Sequence, residues 1–124
     1  HTRDAWDDVL NILEQEDVEK VMLHMWGSKD KKHLKRIVEN NYFVSVGPVI
    51  TRSKERKKIV RDLPLENLML ETDSPWFGQN RERGLSTNVK IPCKKIAEIK
   101  KLKFDYIWGR TGKNAMNFFE LQLG

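Results

Sequence analysis

Two spacings of apolar residues alternate along the chain. Ala5, Val9, Ile12 and Leu13 recur every three to four positions, with Trp6 beside them and acids opposite. That spacing predicts a helix over about residues 4–16, with Asp4 or Thr2 as its cap. Val21-Met22-Leu23-His24-Met25-Trp26 is instead a short continuous apolar run closed by Gly27-Ser28, as in a strand buried on both faces. Helical spacing returns from Lys29 to Asn40, where Leu34, Ile37 and Val38 share a face and Lys31, Lys32, Lys35 and Arg36 cover the rest. Asn40-Asn41 supplies the C-cap, because asparagine tolerates the left-handed conformation. Tyr42 to Gly47 is a second strand, stopped by Pro48. A helix from Ser53 to Leu63 then turns Ile59, Val60 and Leu63 inward and Lys54, Arg56, Lys57, Lys58 and Arg61 outward, before Pro64 ends it. Leu68-Met69-Leu70 forms the third apolar run and leads through Glu71 and Thr72 to Asp73, where Ser74-Pro75 forbids a continuing central strand.

Helix and strand thus alternate with short connections, which predicts an α/β fold of parallel strands near residues 20–26, 42–47 and 67–73 joined by right-handed crossovers. Beyond Asp73 a polar loop runs to about Asn88 and contains Gly78, Arg81, Arg83 and Gly84. Loops of that length in compact proteins are usually functional. A helix near Ile91 to Leu102 follows, and then a helical region over about residues 105–121 that Gly109 to Gly112 is expected to break. Three parallel strands leave both sheet edges open, and a closed (β/α)₈ barrel typically takes about 250 residues. The 124 residues are therefore expected to form a single partial domain, roughly half of such a barrel.

Composition narrows the classes. At 39% hydrophobic residues the content is ordinary, and no apolar run approaches the roughly 20 residues of a membrane span. The charged N-terminus does not resemble a signal peptide. Because no apolar strand precedes His1, a preceding segment is expected. The lone cysteine, Cys93, cannot form an internal disulfide and fits a reducing, cytoplasmic setting. It follows Pro92 at an apparent helix start, and with no histidine nearby in the sequence it reads as structural. The net charge of +5 conceals an asymmetry: residues 1–20 hold seven acids against Arg3 and Lys20, a balance of −5 that leaves +10 for the remainder. An excess of that kind suits an anionic partner such as nucleic acid, although solvated helix faces give the same count.

His24 and Asp73 lie where apolar strands end, and His1 directly precedes a helix as if ending another strand. In a parallel barrel all such positions open onto the C-terminal face. Imidazoles with a carboxylate are the ligand set of hydrolytic zinc, manganese or magnesium sites. Taken alone, Asp73 reads equally well as the side-chain cap of the following turn. Glu71 is expected on the opposite side of its strand, and His33, on a lysine-rich helix face, at the surface.

The phrases His1-Thr-Arg-Asp-Ala, Leu23-His24-Met-Trp-Gly-Ser, Phe43-Val-Ser-Val-Gly and Leu70-Glu-Thr-Asp73-Ser-Pro-Trp resemble successive signatures of the TatD family of metal-dependent deoxyribonucleases. Arg83-Gly84 and Asn88 resemble the loop that follows, and Gly112-Lys-Asn114-Ala115 with Phe118 resembles the C-terminal helix. The resemblance implies the C-terminal half of a TIM barrel that cleaves DNA phosphodiester bonds with two divalent metals, magnesium, manganese or zinc. It implies His1 and His24 as ligands of one metal, and Asp73 as ligand of the other and positioner of the attacking water. It also suggests Arg83 as a substrate contact. The family's His-x-His pair and its further glutamate would lie upstream of His1. The isolated chain is therefore expected to bind metal weakly, to be inactive or weakly active, to need the missing half or a second chain to complete its barrel, and to self-associate. Two other readings stay open: a non-catalytic basic nucleic-acid-binding half-barrel, and a metal hydrolase acting on amides or esters.

Overall fold

The computed structural model describes residues 1–78 and 82–122. Its centre is a parallel sheet of β1 (Met22–His24), β2 (Phe43–Val46) and β3 (Leu68–Leu70), in that spatial order. The helices α1 (Trp6–Gln15), α2 (Lys31–Glu39), α3 (Lys54–Asp62), α4 (Lys90–Lys100) and α5 (Phe104–Phe118) accompany it, with short 3₁₀ turns at Pro48–Thr51 and Leu65–Asn67. Register aligns Leu23 with Val44 and Val44 with Leu68, and all three are buried in the core. Side chains alternate across a strand. The neighbouring row of His24, Ser45 and Met69 therefore belongs to the other face of the sheet.

The core-facing row meets Leu34 and Ile37 of α2, Ile59 and Val60 of α3, Ile96 of α4 and Ile107 of α5. Helix starts follow local chemistry in two cases: Asp30 accepts the Lys32 amide, and Ser53 accepts the Arg56 amide. Asn41 takes the left-handed conformation predicted for the end of α2, with φ 55°. Two expectations fail. Neither Thr2 nor Asp4 caps α1; Ala5 occupies that position without a side-chain bond. The last helix is unbroken through Gly109 and Gly112, where an added Cβ would meet nothing within 4 Å. Helix propensity costs about 1 kcal/mol per glycine. Burial of Ile107, Thr111 and Asn114 along one face of α5 offsets it.

His33 is also not at the surface. It is buried in a three-ring cluster with Trp6 and Trp26, with Nδ1 2.6 Å from Ser28 Oγ and Nε2 2.9 Å from Asp7 Oδ1. Carboxylates only accept, so Nε2 carries the proton and Nδ1 takes that of the Ser28 hydroxyl. The result ties α1 to α2, because the face of α2 that carries His33 is the one turned toward α1. Arg36 and Asn40 extend the tie to Glu14, with Arg36 donating at 2.8 and 2.9 Å. These bonds, chiefly from Arg36, hold the Glu14 carboxyl below its ordinary value. Their contribution is complete above the ordinary glutamate range and is lost as pH falls through the lowered value.

Cys93 is fully buried in α4, and burial pushes its thiol up to about 11. Native protein at pH 8 should therefore react with iodoacetamide at least about 100-fold more slowly than the same chain in denaturant, since the thiolate is the nucleophile. Equal rates, followed by mass spectrometry, would mean that α4 is not packed as described. Among the described residues no helix is long and apolar enough to cross a membrane.

Candidate metal centre

The site begins with strand alternation. Val21 and Leu23 point into the core, so His24 projects from the other face of β1. Ser45 and Met69 lie in register with it. The ladder continues one residue past β3, where the Glu71 amide donates to Val46 O at 3.0 Å. Glu71 lies two positions beyond Met69 and shares its face, contrary to the expectation that it would turn away. His24 Nδ1 is 2.8 Å from Glu71 Oε1, and His24 Nε2 is 3.8 Å from Asp73 Oδ1. Among the described residues, His24, Glu71 and Asp73 are the group whose ligand atoms converge, all within 4.8 Å of one another. All three are partly buried, Glu71 the most at 16% side-chain exposure and Asp73 the least at 34%.

The cap reading of Asp73 also resolves. Thr72 Oγ1 accepts the Ser74 amide and hydroxyl, while the backbone carbonyl of Asp73 accepts the Trp76 amide at 2.9 Å. Among the described residues the Asp73 carboxylate takes no part in the turn and faces His24. Its backbone is left-handed, with φ 56°, and Met25 just after His24 has φ 46°. Non-glycine residues in that region cost about 1–2 kcal/mol each and cluster at functional sites.

A cleft of about 160 Å³ opens here, and His1, His24, Asp73, Arg3, Arg56 and Phe77 line it. The His1 ring lies 4.7 Å from that of His24. The structure thus brings together His1, His24 and Asp73, the three residues singled out in the sequence. Arg83 is exposed on the following loop and is not part of the cleft lining. Arg81 falls outside the described residues. Arg56 departs from the outward orientation predicted by helical periodicity. Its Nη2 donates to Met25 O at 3.3 Å, and its buried Nε has no partner among the described residues. Imidazole nitrogens suit borderline zinc and a carboxylate oxygen suits zinc or the harder manganese and magnesium, so the donors present fit a divalent metal.

Sequence reasoning missed Glu71, Ser45, Arg56 and Phe77. Two of them carried a signal: Glu71 precedes Asp73 by the two positions that share a strand face, and Ser45 is the polar residue of an otherwise apolar strand. Arg56 and Phe77 carried none.

Residues 1–120 match the family model described as TatD related DNase. The Homo sapiens protein named "Deoxyribonuclease TATDN3" is 33% identical over 120 residues, covering 96% of this chain and 43% of its own length. A Bacillus subtilis protein, "Uncharacterized metal-dependent hydrolase YabD", is 32% identical, covering 98% of this chain and 50% of its own. In fold, the chain superimposes on the Escherichia coli K12 TatD homologue YJJV with a TM-score of 0.83 at 23% identity, over 98% of this chain and 49% of that one. The chain spans about half the length of the curated relatives it matches. Its parallel strands alternate with helices as predicted, and this α/β fold matches about half of each TatD-family TIM-barrel chain on which it superimposes.

Proposed function

Because the chain belongs to the TatD-related DNase family, we propose that it forms the C-terminal part of a metal-dependent deoxyribonuclease that hydrolyses phosphodiester bonds. The observation that carries this reading is the meeting of His1, His24 and Asp73 in one cleft with two arginines. His1 and His24 would hold one divalent ion and Asp73 a second, whether magnesium, manganese or zinc. Such ions, when bound, lower the pKa of water and stabilise charge on the phosphoryl oxygens. Asp73, whose carboxylate lines the cleft, orients the attacking water or takes its proton. Arg3 and Arg56 offer guanidinium donors that match two phosphate oxygens at once. Phe77 supplies an apolar wall for a sugar or base, and Arg83, exposed on the loop, contacts the strand further out.

The remaining ligands and the other barrel strands come from an upstream segment or a second chain. β1 and β3 lie at the edges of the three-stranded sheet. On its own the chain associates with itself through those edges. A cytoplasmic setting goes with the lone thiol.

A labelled single-stranded DNA, incubated with a polypeptide containing this chain and Mg²⁺, Mn²⁺ or Zn²⁺, tests the reading. Hydrolysis that EDTA abolishes is expected, with Arg56→Ala lowering kcat/KM about 10-fold, mainly through KM. EDTA-insensitive cleavage would sink the proposal. So would turnover of small esters or cyclic amides without turnover of DNA. Binding that falls steeply with salt and never needs metal would favour a non-catalytic module.

A further inference from the structure

We propose that Glu71 is a positioning residue that fixes the tautomer of His24 and is not itself a metal ligand. The inference rests on the proposed metal site but concerns a residue to which that reading gives no role. Glu71 Oε1 receives His24 Nδ1 at 2.8 Å and also receives the Ser45 hydroxyl. Ser45 Oγ in turn accepts the Met25 amide at 3.1 Å. That amide acts only as a donor, so the Ser45 proton is directed to Glu71. A carboxylate acts only as an acceptor, so His24 must carry its proton on Nδ1. The lone pair of Nε2 is then left facing Asp73, 3.8 Å away.

One relay therefore draws a residue from each strand: His24 from β1, Ser45 from β2 and Glu71 just beyond β3. Ser45 is buried, so its hydroxyl needs an internal partner. Gly47 backs the other side of Glu71, where a Cβ would stand 3.5 Å from Glu71 Cγ. Metal-bound histidines almost always donate their second ring N–H to a carboxylate or carbonyl, which sets ring orientation and basicity. Here that partner is the Glu71 carboxylate, 2.8 Å from Nδ1. Two of the three converging groups then serve as ligands, and the third aims one of them.

Nitrogen-15 NMR of the 124-residue chain, at a pH where imidazole is neutral, reads the tautomer with no metal present. Wild type should show His24 protonated on Nδ1. Glu71→Gln should keep that tautomer, because the amide oxygen still accepts, and should lose only a few-fold in Zn²⁺ affinity. Glu71→Ala should give a tautomer mixture and about 10–100-fold weaker Zn²⁺ binding, followed through the His24 shifts. A wild-type His24 protonated on Nε2, or a tautomer unchanged in Glu71→Ala, overturns the proposal. So does a loss of Zn²⁺ in Glu71→Gln as large as in His1→Ala, which removes the partner ligand of the same ion and would make Glu71 a ligand as well. The wild-type and glutamine measurements suffice if the alanine variant does not fold. Because none of these readouts involves DNA, failure of the nuclease reading would leave them interpretable.

Discussion

Asp73→Asn in a polypeptide containing this chain should cost more than about 100-fold in metal-dependent DNA hydrolysis, beyond the range typical of residues that only support a ligand. Asparagine is the informative replacement because the backbone at Asp73 is left-handed, with φ 56°. Asparagine and aspartate tolerate that conformation, whereas alanine adds strain of about 1–2 kcal/mol and confuses lost chemistry with lost structure. The amide keeps the side chain's shape and one acceptor oxygen but removes the charge that holds a cation and takes a proton. Thermal unfolding should therefore be nearly unchanged while turnover collapses. Turnover at the wild-type level, still abolished by EDTA, would remove Asp73 from the ligand set and leave the cleft unexplained.

Asn114→Ala should destabilise the chain by about 2–4 kcal/mol, the largest stability loss expected from a single polar substitution here. The Asn114 amide is buried in α5 and donates to Leu65 O at 3.0 Å and to Leu68 O at 2.8 Å. Leu65 O keeps the Leu68 amide as a donor, so the loss falls chiefly on the Leu68 carbonyl. A buried acceptor left unpaired costs about 1–3 kcal/mol, and the emptied side-chain volume adds to it. Those carbonyls lie on the approach to β3 and at its first residue, so the same bonds set the height at which Glu71 and Asp73 leave the sheet. With a urea slope of about 1–3 kcal/mol/M, the unfolding midpoint should fall by roughly 1–2 M. Asn114→Asp should be at least as damaging, because it places acceptors against two carbonyl oxygens. A midpoint shift below about 0.3 M in either variant would mean that α5 does not hold β3 through this residue.

The phrase around Asp73 shows how far local reading reaches. Three apolar residues ending in a carboxylate and then Ser-Pro identified a buried strand and the place where it stops. Adding His1 and His24 at comparable stops predicted one site, and the structure brings those three residues to one cleft. His33 went the other way. Its lysine neighbours suggested solvent, but a helix has several faces, and the one turned toward α1 is selected by packing against Trp6 and Trp26. The final helix failed for a related reason: glycine weakens an isolated helix, whereas α5 is held by the face it buries against β3.

By itself the sequence determined what depends on near neighbours. It set the period-two and period-3.6 rhythms, the strand stops, the βαβ order and the residue types gathered at the C-terminal ends of the strands. Only the tertiary structure decided which of those residues touch. His24, Ser45 and Glu71 are separated by more than 20 residues at each step, and their relay exists because parallel register brings three strands level. Arg56 enters the cleft because its guanidinium finds Met25 O across from α3, a contact that helical periodicity cannot encode. The spacing of side chains within an element is fixed by backbone geometry, whereas the meeting of elements is fixed by what each must bury.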